Sequence, residues 1–221
     1  MKTYKLHFIR HGLAMGNLQG IYMGKKTDSP LAPQGLLRLL QLSQEYEYPA
    51  VQKVYTGPLL RCTQTARAIY GDKVFMQVVE DITEMDFGIF EGRSLQELKN
   101  DPAFMSFLYG GMDYVVPEGE SIKQFGLRCS KGLDYIVSDM MKNHIDSAAV
   151  VTHGGVINGL LSSYGYPKLS REELMVGNGY GFTVNITPRL WQSDEAFEIM
   201  GIVPHGSSVI NDYNVDYETE D

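Results

Sequence analysis

Cysteine is scarce in this chain: Cys62 and Cys129 are the only two in 221 residues. Two thiols are too few for a disulfide scaffold, and each falls in a stretch of helical pattern, so both read as buried or half-buried free thiols. No Cys-x-x-Cys occurs, and no pair of histidines has the H-x-x-x-H spacing on a helix. His7 and His11 are four apart, but the residues between them read as a strand end and a turn, so a bound metal is not expected. No apolar run approaches the roughly 18 residues that span a bilayer. The first ten residues lack the apolar stretch of a signal peptide, which makes the cytoplasm the expected location and no membrane a partner. Internal repeats and low-complexity segments are also missing. With 43% hydrophobic and 21% charged residues, disordered and collagen-like classes are excluded.

Positive charge is thin as well. The net charge is −8, and five of the acids (Asp212, Asp216, Glu218, Glu220 and Asp221) stand in the last ten residues. Removing them leaves 22 acids against 19 bases, so the acidity is largely that of a tail, expected to be solvated and mobile over about 204–221. No basic patch suits nucleic acid. A small anionic substrate is still compatible, because a local cluster of arginines overrides a weak net charge.

The length fits one domain over 1–221. Tyr4 to Ile9 reads as a first strand that breaks at Gly12. Residues 12 to 33 hold four glycines and two prolines and read as a long loop, a length more often functional than idle. Leu36, Leu37, Leu39, Leu40 and Leu42 mark a helix over Gln34 to Glu45. A second strand over Lys53 to Thr56 runs into Gly57-Pro58, with Pro58 placed in the first turn of a helix ending near Tyr70. A third strand over Val74 to Val79 and an acidic segment from Glu80 to Arg93 follow. Residues 94 to 145 carry two short helices (94–99 and 102–109), a Gly-Gly break, a Pro117-Glu118-Gly119 turn and a long amphipathic helix from about Glu120 to Lys142. They read as an inserted helical cap whose last helix returns to the body. Ala148 to Thr152 is an apolar run suited to a strand buried on both faces, followed by a helix over Val156 to Tyr164. Tyr180 to Thr187 and Ala196 to Ile202 close the chain as two strands at one edge. The alternation predicts an α/β fold: a three-layer sandwich with a mostly parallel central sheet and helices on both faces. Ligands of such folds sit beyond the carboxyl ends of the strands, where Arg10-His11 and His153 fall and near which Arg61 opens a helix.

Each of these residues has a plain reading on its own. His11 in a turn fits a surface histidine, His153 a satisfied histidine at a buried strand end, Arg61 a helix surface, and Glu84 one acid of a solvated loop beside Glu80, Asp81 and Asp86. Four stretches in order change that. RHGLAMGN (Arg10 to Asn17) resembles the R-H-G-x-x-x-x-N of the histidine phosphatase superfamily, the phosphoglycerate-mutase-like enzymes. TGPLLRCTQTA (Thr56 to Ala66), EMDFGIFEG (Glu84 to Gly92) and VTHGGVINGLL (Val151 to Leu161) are similar to its S-P-L-x-R-x-x-Q-T-A, E-x-x-x-G-x-x-E-G and V-x-H-G-G-x-I-x-x-L-L. The likeness runs from Lys5 to about Thr187.

The resemblance implies a phosphomonoesterase of the superfamily's phosphatase branch, acting on a small phosphorylated metabolite without metal or other cofactor. His11 is implied as the nucleophile that forms a phosphohistidine, and Glu84 as the proton donor. Arg10, Asn17, Arg61, His153 and Gly154 would hold the phosphoryl oxygens, with Gly12 also letting backbone approach the anion. The residue types suit that chemistry: an imidazole can attack phosphorus and leave again, and arginines grip equatorial oxygens with forked contacts. Ala14, Leu13 and Gly57 depart from the frequent Ser or Thr, Glu and Ser of the pattern. A mutase of phosphoglycerate is the alternative, but its extra basic residues are not found in the cap, where Asp101 to Glu120 holds no Lys or Arg. A non-catalytic phosphate-binding protein is a second alternative. Phe104, Met105, Phe107, Tyr109 and Tyr114 in the cap could face a partly apolar leaving group, or be ordinary core. His7, His144 and His205 read as structural or solvent-facing. The oligomeric state and the closure of 115–120 over the site are not legible.

Overall fold

The computed structural model describes residues 2–208. Seven strands form one sheet: β1 (Tyr4–Arg10), β2 (Lys53–Thr56), β3 (Phe75–Val78), β4 (Ser147–Thr152), β5 (Gly165–Tyr166), β6 (Gly181–Ile186) and β7 (Phe197–Val203). Their order is β3-β2-β4-β1-β6-β7-β5. The first four in that order run parallel, and β6 is antiparallel to both β1 and β7. The helices are α1 (Met15–Leu18), α2 (Pro33–Glu45), α3 (Leu60–Tyr70), α4 (Leu95–Leu98), α5 (Pro102–Tyr109), α6 (Ile122–Lys142), α7 (Gly154–Tyr164) and α8 (Pro188–Asp194).

Strand alternation divides the core. Ile9, Val54, Ala149 and Val151 point to one face, where Cys62 and Ala66 of α3 cover them. Leu6, Phe8, Ala148 and Val150 point to the other, against Phe125, Leu133 and Ile136 of α6 and Val156, Ile157 and Leu160 of α7. Strand β4 lies between parallel partners and is buried from Ala148 to Thr152, which is why it reads as a continuous apolar run. The predicted α/β sandwich is the observed fold.

Several local readings change. The 12–33 loop contains the short α1. Pro58 lies outside α3, whose N-cap is Leu59, because Asp28 reaches across from the loop and takes the Leu60 N–H at 2.7 Å. An acid at a helix start suits the positive end of the helix dipole. Helix α6 begins at Ser121, whose hydroxyl and Gln124 form a reciprocal capping box. Helix α8 and the two-residue β5 were not legible as elements. Cys62 and Cys129 are free and buried. His205, inside the stretch read as a tail, exchanges two backbone hydrogen bonds with Glu47. Residues 209–221, which carry the five terminal acids, lie outside the described residues. Among the described residues no helix is long and apolar enough to cross a membrane, and no three His, Cys, Asp or Glu side chains converge as a metal site would need.

Candidate active site

Parallel pairing builds the centre of the site. Arg10 stands opposite Thr152 in the β1–β4 register, so the next residue of each strand, His11 and His153, emerges at the same level. The His11 N–H donates to the Thr152 carbonyl at 2.8 Å, and the two imidazoles meet edge to face with centroids 5.2 Å apart. A cavity of about 380 Å³ opens above them, lined by Arg10, His11, Asn17, Arg61, Glu84 and Gly154 together with Gly155, Tyr22, Phe87, Asn158 and Arg171. Of the seven residues expected here, His153 alone does not line it. It is fully buried beneath His11, with Nε2 3.4 Å from the Cys62 Sγ.

His11 is presented as a neutral base. Its Nδ1 lies 2.7 Å from the Gly12 carbonyl, which can only accept, so Nδ1 carries the proton and Nε2 keeps its lone pair. Burial holds the imidazole well below its usual range, and Arg10 and Arg61 add to this against the opposing Gly12 carbonyl. His153 is likewise held low, by burial first and then by His11, Arg61, Arg10 and Arg128.

The arginines are held by backbone and left partly unspent. Arg61 is 1% exposed and gives Nη1 to the Thr27 carbonyl at 2.6 Å and Nη2 to the Gly24 carbonyl at 3.1 Å. Arg10 gives Nη1 to the Val176 carbonyl at 2.7 Å. The Nε–H of each is buried and without a hydrogen-bond partner among the described residues. Buried donors are rarely left so. Both side chains line the one cavity, as a cradle for an anion would require. Asn17 accepts the Ala14 N–H on Oδ1 at 2.9 Å, which leaves its amide NH₂ for the cavity.

The PLLRCTQTA stretch has a structural meaning. Gln64 takes the Leu31 N–H at 2.7 Å and Thr65 takes the Gly12 N–H at 2.8 Å, so α3 holds the long loop through one side and grips it with Arg61 through another. This corrects the expected role of Gly12. Its N–H is committed to Thr65, and a Cβ there would meet Leu39 at 2.7 Å rather than an anion. Glu91 holds the same loop from the opposite side. Its carboxylate takes the Thr27 hydroxyl at 2.6 Å and the N–H groups of Lys26 and Phe87, which ties the stretch that Arg61 grips to the acidic segment.

Glu84 reaches the cavity with Oε1 on its neighbour Met85 N–H at 3.0 Å and Oε2 facing the Gly155 N–H at 3.3 Å. Burial pushes its carboxyl above the usual value, while these two N–H groups, Arg61 and Arg10 pull it down. A residue that sequence reasoning missed fixes its backbone. Arg128 of α6 donates to the carbonyls of Asp81, Thr83 and Glu84 at 2.9, 3.0 and 3.1 Å and to the Glu120 carboxylate at 2.6 Å. The available signal was a single arginine beside the buried stripe of α6, next to Cys129. Tyr22, Asn158 and Arg171 were also missed, each outside the four motifs or at a variable place within them. The aromatics at 104, 107, 109 and 114 do not line the cavity. Phe104 is core, stacked edge to face on Phe90 and Tyr22 at 5.2 and 5.4 Å, and Tyr109 is exposed. Residues 115–120 are tied to the acidic segment, with the Glu120 N–H on the Asp86 carbonyl at 3.0 Å.

Known proteins resemble this chain in sequence and in fold. The family model described as histidine phosphatase superfamily (branch 1) matches residues 6–195. A protein of Hydrogenobacter thermophilus, named as a candidate phosphoserine phosphatase, is 30% identical over 162 residues, 71% of this chain and 76% of its own. The crystal structure of an α-ribazole phosphatase from Shigella flexneri superposes with a TM-score of 0.71 at 21% identity, covering 89% of this chain and 94% of that one. A phosphoglycerate mutase from Bacillus anthracis superposes with a TM-score of 0.72 at 19% identity, covering 90% and 92%. The fold is thus shared by a phosphatase and a mutase and does not separate the two reactions.

Proposed function

The chain belongs to the histidine phosphatase superfamily, and from that premise we propose that it is a phosphomonoesterase that works through a phosphohistidine on His11. One observation carries the reading: a neutral His11, its Nε2 lone pair unprotonated, lines one cavity with the guanidinium groups of Arg10 and Arg61, each of which gives only part of its N–H donors to backbone carbonyls. A nucleophile and an anion cradle are what phosphoryl transfer needs.

The phosphoryl group takes the Arg10 and Arg61 donors and the Asn17 amide, with His153 beneath His11 supporting the imidazole. The Nε2 lone pair forms the N–P bond as the P–O bond to the alcohol breaks. Glu84, kept protonated by burial and by the incoming phosphate dianion, passes its proton to the leaving alkoxide. As carboxylate it then takes a proton from water. The hydroxide attacks phosphorus, the N–P bond breaks, and inorganic phosphate and neutral His11 are released. The two arginines offset the charge on the phosphoryl oxygens, so the reading includes no metal.

The test is hydrolysis of p-nitrophenyl phosphate in EDTA by the wild type and by His11→Ala. Turnover by the wild type alone supports the proposal, and equal turnover by both overturns it. Mutase activity is separated by 3-phosphoglycerate with added bisphosphoglycerate: isomerisation faster than phosphate release would replace this reading.

A further inference from the structure

We propose that Cys62 is a positioning residue for the nucleophile: its thiol holds the ring of His153, and His153 in turn fixes the ring of His11. The catalytic part of this rests on the phosphatase reading of the same cavity; the hold on His153 does not.

The β2–β4 register and the start of α3 bring Gly57, Cys62 and His153 together. Thr56 stands opposite Val151, and the next residue, Gly57, gives its N–H to the Val151 carbonyl at 3.1 Å, which sets Gly57 beside the strand end that carries His153. Helix α3 then starts at Leu60 and packs Cys62 on that face of the sheet. Cys62 and His153 are both fully buried, and the Cys62 Sγ lies 3.4 Å from His153 Nε2 and 4.0 Å from its Nδ1. Among the described residues the His153 ring has no other hydrogen-bond partner. Buried polar atoms are rarely left without one, and the last torsion of a histidine is soft. The thiol is therefore the group that sets which way this ring turns. The same ring meets His11 edge to face, 5.2 Å between centroids and 66° between planes, so a turn of His153 changes the edge against which His11 packs.

A thiol suits this place. Burial raises the Cys62 group against the pull of Arg61, so the sulfur keeps its proton and can both donate and accept weakly. His153 is held low by burial and stays neutral, so neither partner puts a charge into the interior. Gly57 supplies a second, independent observation. A Cβ there would lie 3.5 Å from His153 Nε2 and 3.6 Å from the Cys62 Sγ, both ordinary contacts. The serine frequent at this place in the superfamily's pattern would therefore fit, with its hydroxyl in hydrogen-bond range of the same nitrogen. This chain lacks that hydroxyl and brings a thiol to the ring from the following helix instead.

The test compares the wild type, Cys62→Ala, Cys62→Ser and the double variant Cys62→Ala with Gly57→Ser. It reads turnover of p-nitrophenyl phosphate, inhibition by inorganic phosphate and the nitrogen NMR signals of the His153 ring. Cys62→Ala should lower kcat roughly tenfold, the scale of a slight misplacement of a reacting group, and leave inhibition by phosphate unchanged, since Arg10 and Arg61 hold the anion. Cys62→Ser should keep most of the rate, and Gly57→Ser should return most of what Cys62→Ala loses. The ring should show one tautomer in the wild type, a mixture in Cys62→Ala and one again in the double variant. Wild-type kcat in Cys62→Ala, a loss that Gly57→Ser does not recover, or ring signals that Cys62→Ala leaves unchanged overturns the proposal and leaves the phosphatase reading standing. Ring signals that respond as expected, with no turnover by any of the four proteins, keep the hold on His153 and overturn the phosphatase reading.

Discussion

Gly155 and Glu84 share a space that leaves no room for a methyl group: a Cβ on Gly155 would lie 2.5 Å from Glu84 Oε1. The second glycine of the His153-Gly154-Gly155 turn is therefore the one sterics demand. At Gly154 an added Cβ would meet Arg10 Nε at 3.4 Å, an ordinary contact. Gly155→Ala should displace the Glu84 carboxyl, which is the movable partner. We expect kcat on alkyl phosphates to fall about 10- to 100-fold, since displacement of about 1 Å is enough for that. The thermal midpoint should change by only a few degrees. Unchanged kcat would separate Glu84 from the chemistry.

His11→Ala removes the proposed nucleophile. Among the described residues the ring's hydrogen bond goes to the adjacent Gly12 carbonyl alone, so the fold should persist by circular dichroism. Turnover should fall by about 10⁴-fold or more, the scale seen when a nucleophile is removed. Acid-labile labelling by ³²P should disappear with it. Label retained at wild-type level would move the nucleophile elsewhere.

Glu84→Gln and Arg128→Met should share a signature. The first removes the proposed proton donor; the second releases the Asp81, Thr83 and Glu84 carbonyls that hold the Glu84 backbone in place. Both should slow alkyl phosphates about 10- to 100-fold more than p-nitrophenyl phosphate, whose leaving group needs little protonation. Arg128→Lys should recover part of the loss. A uniform loss on both esters in proportion to a lower thermal midpoint would make Arg128 structural only.

Stability should fall on acidification through His7. Its Nδ1 lies 2.8 Å from the Thr183 hydroxyl, and burial, with His205 and Lys5, lowers its pKa to about 4. An unfolded histidine titrates near 6.5. Between those values the unfolded chain takes a proton that the folded chain refuses, so stability is full above pH 6.5 and declines as pH falls towards 4. The contribution is about 3 kcal/mol. His11 and His153, also held low, act in the same direction. Urea midpoints for His7→Asn should fall less between pH 7 and 4.5 than those of the wild type. Parallel curves would remove His7 from the acid response.

Much of this molecule was legible in the chain because it depends on neighbours in sequence. The apolar run of β4, the leucine stripe of α2 and the four motifs set strands, helices and the residues at the strand ends. Period and punctuation are local properties, and a parallel sheet then brings Arg10-His11 and His153 to one end by its own geometry. What tertiary structure alone decided is how those residues are spent. The Gly12 N–H went to Thr65, 53 residues away, and His153 went beneath the cavity. Arg128 came from α6 to hold the Glu84 backbone, and Arg171 came from beyond α7 to line the cavity. These depend on which surfaces meet when the layers close, and on which buried donors and acceptors must find partners once water has left. No spacing along the chain encodes those pairings, because the partners are distant in sequence and chosen by the packing itself.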